Sequence, residues 1–322
     1  MKKLGYAIAL LAVVLIVTAL PVFARHSFTH RQTSLAKNQH NQQLPHEPTN
    51  TNAEISTQMA TEEPQSVTIT IPATPKLEET DILQILQSAK GVQGLYLHEL
   101  NTDPNSGIYF NSKKPLFVAS TSNLAIATVT IKVLEEKGID VYSIAPNSEH
   151  RTYAEIIEDM ITNHSEISIA YLTNYVRNTG HNFNTELGKL GISNFDVYSK
   201  VATPNSYGEL LEAIATNKLN LSNGDFLLSL LDRDSKSFEW SAENILAGKF
   251  HNLVGAVFEE TQTLQGIGSV KYVTSDCGIW TAPSGQQFAF VYTANYRNER
   301  EYSLSINVLR EISSSLNTTF SQ

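Results

Sequence analysis

The order in which strand-like and helix-like stretches follow one another constrains this chain more than any single residue. Two short strand patterns come first, at 95–100 and 107–110, separated by a polar turn over 101–106. Helical periodicity then dominates from about residue 120 to residue 246. Within it, 124–137 closes on Gly138, and 152–162 opens on Thr152 with Glu155 three residues later, a capping-box pattern. Further helices are predicted at 167–178, 207–216 and 224–231. Strands return at 253–259, 270–282 and 287–295, and a helix follows at 302–316. Another helix, 78–89, precedes the first strand and places Ile82, Leu83, Ile85, Leu86 and Ala89 on one side. This order predicts an α+β fold: an antiparallel five-stranded sheet flanked on one side by the N- and C-terminal helices. An inserted all-helical lobe lies on the other side and meets the sheet at a cleft.

Composition narrows the function. With 41% hydrophobic and 17% charged residues in 322, the chain is neither collagen-like nor wholly disordered. Lys+Arg 23 against Asp+Glu 32 gives a net charge of −9 and no dense basic run beyond the N-terminus, which excludes nucleic acid as a partner. One cysteine, Cys277, permits neither an internal disulfide nor a cysteine-based zinc site, and its apolar neighbours mark it as a core residue. No Gly-rich phosphate loop and no zinc-protease His/Glu pairing occurs, so no cofactor and no metal are expected.

Lys2 and Lys3 precede an apolar stretch over 4–24 that ends in Val22-Phe23-Ala24. It reads either as a cleaved signal peptide or as an uncleaved membrane anchor, and both readings place the remainder outside the cytoplasm. Residues 25–76 are rich in Gln, Asn, Thr and Pro without periodicity, and are expected to form a disordered linker. His26, His30, His40 and His46 within it match no metal-ligand spacing. Residues 77–322 remain for the folded domain.

Several of its stretches resemble the class A β-lactamase and penicillin-binding serine hydrolase family. Phe117-Val118-Ala119-Ser120 followed by Thr121-Ser122-Asn123-Leu124-Ala125 is similar to the family's nucleophile motif, in which a Ser at a helix start is followed three residues on by a Lys. Glu158-Asp159-Met160-Ile161 resembles the helix before the second motif. Ala202-Thr203-Pro204 resembles the helix start after the omega loop, and Asp276-Cys277-Gly278-Ile279 the strands after the third motif.

The resemblance implies a nucleophile position at Ser120 and a lysine position at Asn123, whose amide has no proton affinity to activate a hydroxyl. It places the Ser-Asp-Asn motif at His164-Ser165-Glu166. No Lys-[Thr/Ser]-Gly occurs; counting back from Asp276 puts its position at Gly266-Ile267-Gly268, and counting forward from Leu246-Ala247-Gly248 puts it near Phe258-Glu259-Glu260. The short segment before Thr203 lacks the family's omega-loop Glu.

Each of these residues has a plain alternative. Ser120 reads as an N-cap for the following helix, and Asn163 or Ser165 as a cap for the next one. If Ser120 is a nucleophile, His164 is its candidate base, with Glu166 or another carboxylate orienting the ring. Glu259 and Glu260, adjacent on a strand, point to opposite faces and cannot converge on one substrate. Trp240, Tyr272 and Trp280 read as core, with cleft lining as the alternative.

The expectation is an exported, catalytically inactive relative acting as a cell-envelope binding module. Its expected partners are a peptidoglycan-derived peptide or β-lactam-like ligand, an envelope protein, and the membrane if the N-terminal segment is retained. A divergent serine hydrolase using Ser120 and His164 is the alternative.

Overall fold

A computed structural model describes residues 79–103, 106–231, 239–257 and 261–320. The expected signal or anchor segment (1–24), the linker (25–76) and Phe258-Glu259-Glu260 lie outside the described residues. Helix α1 (Glu79–Ser88) leads into the hairpin β1 (Val92–Glu99) and β2 (Ile108–Phe110). Strand β3 (Leu116–Phe117) and a 3-10 turn, Ala119–Ser122, feed α2 (Asn123–Glu136). The helical lobe continues with α3 (Tyr153–Thr162), α4 (Glu166–Asn178) and α5 (Phe183–Lys189). Strands β4 (Phe195–Asp196) and β5 (Val201–Ala202) come before α6 (Pro204–Ala215) and α7 (Gly224–Leu230). The chain returns through β6 (Lys249–Val257), a small hairpin of β7 (Gln262–Leu264) and β8 (Gly268–Val270), then β9 (Tyr272–Thr281) and β10 (Gln287–Tyr296). Helices α8 (Glu299–Ser305) and α9 (Val308–Phe320) follow.

The main sheet has five strands in the order β2-β1-β10-β9-β6, every pairing antiparallel. Alternation along each strand sends side chains to two separate cores. On one face Leu95, Leu97, Phe288, Phe290 and Trp280 pack with Ile82 and Leu86 of α1 and Leu309, Ile312 and Leu316 of α9. On the other, Tyr96, Cys277, Ile279, Ala289 and Val291 meet Leu124 and Val129 of α2 and Leu210 and Leu211 of α6. Gly208 permits the α6 contact, because a Cβ there would overlap the Tyr96 ring. The α+β architecture with its inserted helical lobe is therefore as the sequence predicts.

Trp240, Tyr272 and Trp280 belong to the core under α1 and α9, which removes them from the cleft. Trp280 Nε1 donates to the Ala247 carbonyl at 2.7 Å. Cys277 is fully buried, and burial pushes its thiol well up from the ordinary range. Glu136, His181 and Glu186 bring potential metal-ligating atoms within 4.8 Å of one another. Lys132 and Lys189 each donate to Glu186 at 2.8 Å, and Lys132 also pairs with Glu136. Two ammonium groups already neutralise that cluster, which makes it an ion-pair network rather than a cation site.

Asp276 is buried in β9. Its carboxylate accepts from Asn252 Nδ2 at 2.6 Å, Ala242 N at 2.7 Å and Ser241 Oγ at 2.9 Å. Burial outweighs these donors and pushes its pKa up to about 6. A carboxyl that holds its proton more tightly when folded adds stability below pH 4, and that stability is lost as pH rises through 6. Relative to Asp276→Asn, the protein is expected to lose on the order of 3 kcal/mol between pH 3.5 and 7.5, read by urea unfolding at both pH values. A pH-independent difference would show that Asp276 does not titrate in this interval.

Candidate functional site

The site is built around the turn that carries Ser120, and the sheet holds that turn in place from several directions. Asn295 of β10 uses its side-chain amide as a strand neighbour would: Phe117 N donates to its Oδ1, and its Nδ2 donates to Phe117 O, both at 2.9 Å. Thr121 Oγ1 donates to Val118 O at 2.5 Å and lies 3.3 Å from Ser275 Oγ, which in turn lies 3.0 Å from Thr293 Oγ1. Tyr207 of α6 donates to Thr121 O at 2.5 Å. Gly255 of β6 backs directly onto the turn. A Cβ at that position would stand 3.0 Å from Ser120 Oγ and Thr121 N.

The clamps hold an uncommon backbone. Ala119 has φ +52°, a left-handed conformation that Cβ disfavours. Ser120, next to it, is half-buried, and its Oγ makes no hydrogen bond to any described group. The N-cap expectation for Ser120 therefore fails. The 3-10 turn is capped at Val118 and α2 at Ser122, neither through a side-chain hydrogen bond. The turn begins one residue before Ser120, so the hydroxyl is past the position from which it could cap.

Asn123, one turn on, is 1% exposed. Its Nδ2 donates to Met160 O at 3.1 Å, and its Oδ1 has no partner. Where the resemblance implies a base for Ser120, the chain has a neutral amide already tied to α3.

The α3–α4 turn carries His164-Ser165-Glu166, and Asp159 organises it. Asp159 accepts from Ser168 Oγ at 2.6 Å and from Asn163 Nδ2 at 2.8 Å, and these donors hold its carboxyl far below the usual range. Ser165 caps α4, accepting from Ser168 N at 3.3 Å. Glu166 occupies the exposed first turn of α4. His164 has φ +51° and an exposed ring, yet the surrounding protein lowers its pKa, with Lys200 adding to the effect. The imidazole is therefore neutral at pH 7. It makes no hydrogen bond to Ser120, to Glu166 or to any other described group.

One of the two locations inferred for the missing Lys-Thr-Gly motif falls within the described residues. Gly266-Ile267-Gly268 lies in the β7–β8 hairpin, outside the main sheet, and Phe258-Glu259-Glu260 is outside the described residues. The strand beside Ser120 is β6, and Leu253-Val254-Gly255-Ala256 is the stretch against the turn. Strands β7 and β8 lengthen the connection between β6 and β9.

The backbone of Lys200 is tied beside the turn that carries Ser120. Strand β5 pairs with β3 in the register Phe117↔Val201, and Val118 N donates to Lys200 O at 2.9 Å. Lys200 thus sits opposite the residue two before Ser120, with φ +54°. Asn295, Ser275, Gly255 and Lys200 were not singled out from sequence. The one usable signal was the length of 191–203, too short for an omega loop but long enough for a β4–β5 hairpin.

No protein-family model matches the chain, and no curated protein matches it. Among solved structures it is similar to a variant of the TLA-1 extended-spectrum β-lactamase, with TM-score 0.60 and 16% identity, covering 74% of this chain and 98% of that one. A β-lactamase from Chitinophaga pinensis DSM 2588 matches with TM-score 0.58 and 16% identity over the same shares. PBP-A matches with TM-score 0.57 and 17% identity, covering 76% of this chain and 98% of its own. The chain therefore has the fold shared by class A β-lactamases and this penicillin-binding protein.

Two substitutions test the description of the turn. Ser120→Ala removes a hydroxyl without partners and is expected to change stability by less than about 0.5 kcal/mol, whereas loss of an N-cap costs about 1 kcal/mol. Ala119→Gly relieves the left-handed backbone and is expected to stabilise the protein by about 1 kcal/mol in chemical unfolding. Destabilisation by Ala119→Gly would contradict the strained geometry.

Proposed function

We propose that this β-lactamase-fold domain is exported and binds a ligand at the cell envelope in the cleft beside Ser120 without turning it over. The observation that carries this reading is the isolation of Ser120 Oγ. No described base lies within hydrogen-bond reach, and the adjacent Asn123 cannot accept its proton. A hydroxyl at its free pKa is a weak nucleophile, so acyl transfer has no driving group. Ligand binding in a cleft between sheet and helical lobe does not depend on that chemistry. Peptidoglycan-derived peptides, β-lactam-like molecules or a segment of an envelope protein are the ligand classes to test first.

A second reading has one observation in its favour. Backbone strain beside a reactive group is common where the strain serves function, and Ala119 retains it. In this reading Ser120 attacks an acyl carbonyl while neutral His164 moves in to take the proton, as a divergent hydrolase.

The two readings separate by intact mass of the full chain after incubation with several penicillins and a fluorophosphonate. The binding reading predicts no adduct on wild type or Ser120→Ala, and saturable ligand binding that Ser120→Ala leaves nearly intact. An adduct on wild type that disappears in Ser120→Ala would establish the hydrolase, and His164→Ala should then slow its formation. Absence of both adduct and saturable ligand would overturn both readings.

A further inference from the structure

We propose that a second cavity, at the end of the strands away from Ser120, binds a small uncharged amide with an apolar ring. This cavity has a volume of about 240 Å³ and lies between the helical lobe and the main sheet. Its lining is Ala215 of α6, Leu228 and Ser229 of α7, His251 of β6, Ile279 of β9 and Gln287 of β10. A void of roughly 150 Å³ holds a benzene ring, so this one suits a single ring with a small substituent.

Strand register fixes the floor. His251 pairs with Ile279 across β6 and β9, Ala289 of β10 pairs with Ile279 on the other side, and Gln287 follows two residues from Ala289. Alternation therefore turns His251, Ile279 and Gln287 to the same face, the one covered by the helical lobe. Leu253 and Cys277, the next residues on that face, are buried and fill the layer between the cavity and the Ser120 turn. From His251 to Gly255, which backs onto that turn, β6 runs about 13 Å. The cavity is thus separate from the cleft beside Ser120.

The walls set the chemistry of the ligand. Ala215 and Leu228, only partly buried, pack against the core to which Ile279 belongs, and together they offer a ring an apolar bed. Ser229 and Gln287 are exposed and form the polar mouth. Ser229 Oγ donates to Phe226 O at 2.7 Å, so its hydrogen is committed and it presents lone pairs only. Gln287 Nε2 donates to Thr281 Oγ1 at 3.3 Å, which leaves its second N–H for an acceptor. An amide is the complement of that pair, with an N–H for Ser229 and a carbonyl for Gln287. No Asp, Glu, Lys or Arg is among the lining residues, so nothing there offsets the desolvation of a charged ligand. Residues 232–238, next along the chain from α7, lie outside the described residues, and the complementarity needs none of them.

The test is isothermal titration calorimetry on the full chain in zwitterionic nanodiscs, with empty nanodiscs as blank, using benzamide, acetophenone and sodium benzoate. The three share nearly one shape, but acetophenone lacks the N–H and benzoate carries a charge. Benzamide is expected to bind saturably with a Kd on the order of 1 mM, as suits a ligand of its size. Acetophenone should bind about fivefold more weakly, and benzoate about tenfold or more. Ser229→Ala should bring benzamide down to the level of acetophenone and leave acetophenone unchanged. Ala215→Leu fills the cavity and should abolish binding. Circular dichroism confirms that each variant folds; should Ala215→Leu not fold, the Ser229→Ala comparison decides alone. The inference is overturned if benzamide shows no saturable binding, or if acetophenone or benzoate binds as tightly. Benzamide affinity unmoved by Ser229→Ala, or retained in folded Ala215→Leu, overturns it equally. None of these outcomes bears on ligand binding in the cleft beside Ser120, at the other end of the same strands.

Discussion

Strands β9 and β10 are buried along almost their whole length, on both faces, between two helical layers. Burial on that scale leaves no water to satisfy a polar side chain, so each polar residue in these strands must find a protein partner. Asn295 finds it in the backbone of Phe117, Ser275 in Thr121 and Thr293, and Asp276 in Asn252, Ser241 and Ala242. The first two of these solutions hold the Ser120 turn. The requirement that stabilises the sheet is thus the one that builds the site.

That coupling explains how the strained backbone endures. A left-handed alanine costs roughly 1–2 kcal/mol relative to a relaxed conformation. Releasing Ala119 would break the paired amide contacts at Phe117 and move Thr121 away from Tyr207, leaving several buried groups unpaired. Each such loss costs about 1–3 kcal/mol, so the strain is the lower of the two costs. His164 is held differently. The capped start of α4 and the Asp159 hydrogen bonds fix both ends of a short turn, and the residue between them adopts the conformation that closes it.

The fold was legible because its signals are periodic and repeated. Long runs such as those of β9, β10 and α2 declare themselves through burial, and Thr152 with Glu155 marks a helix start that the structure reproduces as a reciprocal cap. The short elements were not legible: β3, β4 and β5 have two residues each, and α5 has seven, too few to show a period. The closing helix divides into α8 and α9 for a similar reason, since neither half carries a break that composition alone reveals. The site was half legible. Ser120, Asn123 and His164 stand in recognisable positions, but Lys200 and Gly255 reach the site through strand register. Register is a long-range property that spacing along the chain does not encode.

The changes at the site are physically coherent as a set. Position 123 is 1% exposed, and an ammonium there would need a buried carboxylate to offset its desolvation. The short segment before Thr203 supplies no such carboxylate from an omega loop; it folds instead into the β4–β5 hairpin. A neutral amide bound to Met160 O is the less costly occupant there, even with one oxygen left over. The same hairpin presents Lys200 at the surface, where water bears the cost of the charge. The same short segment thus leaves position 123 to a neutral amide and places Lys200 where its charge is solvated.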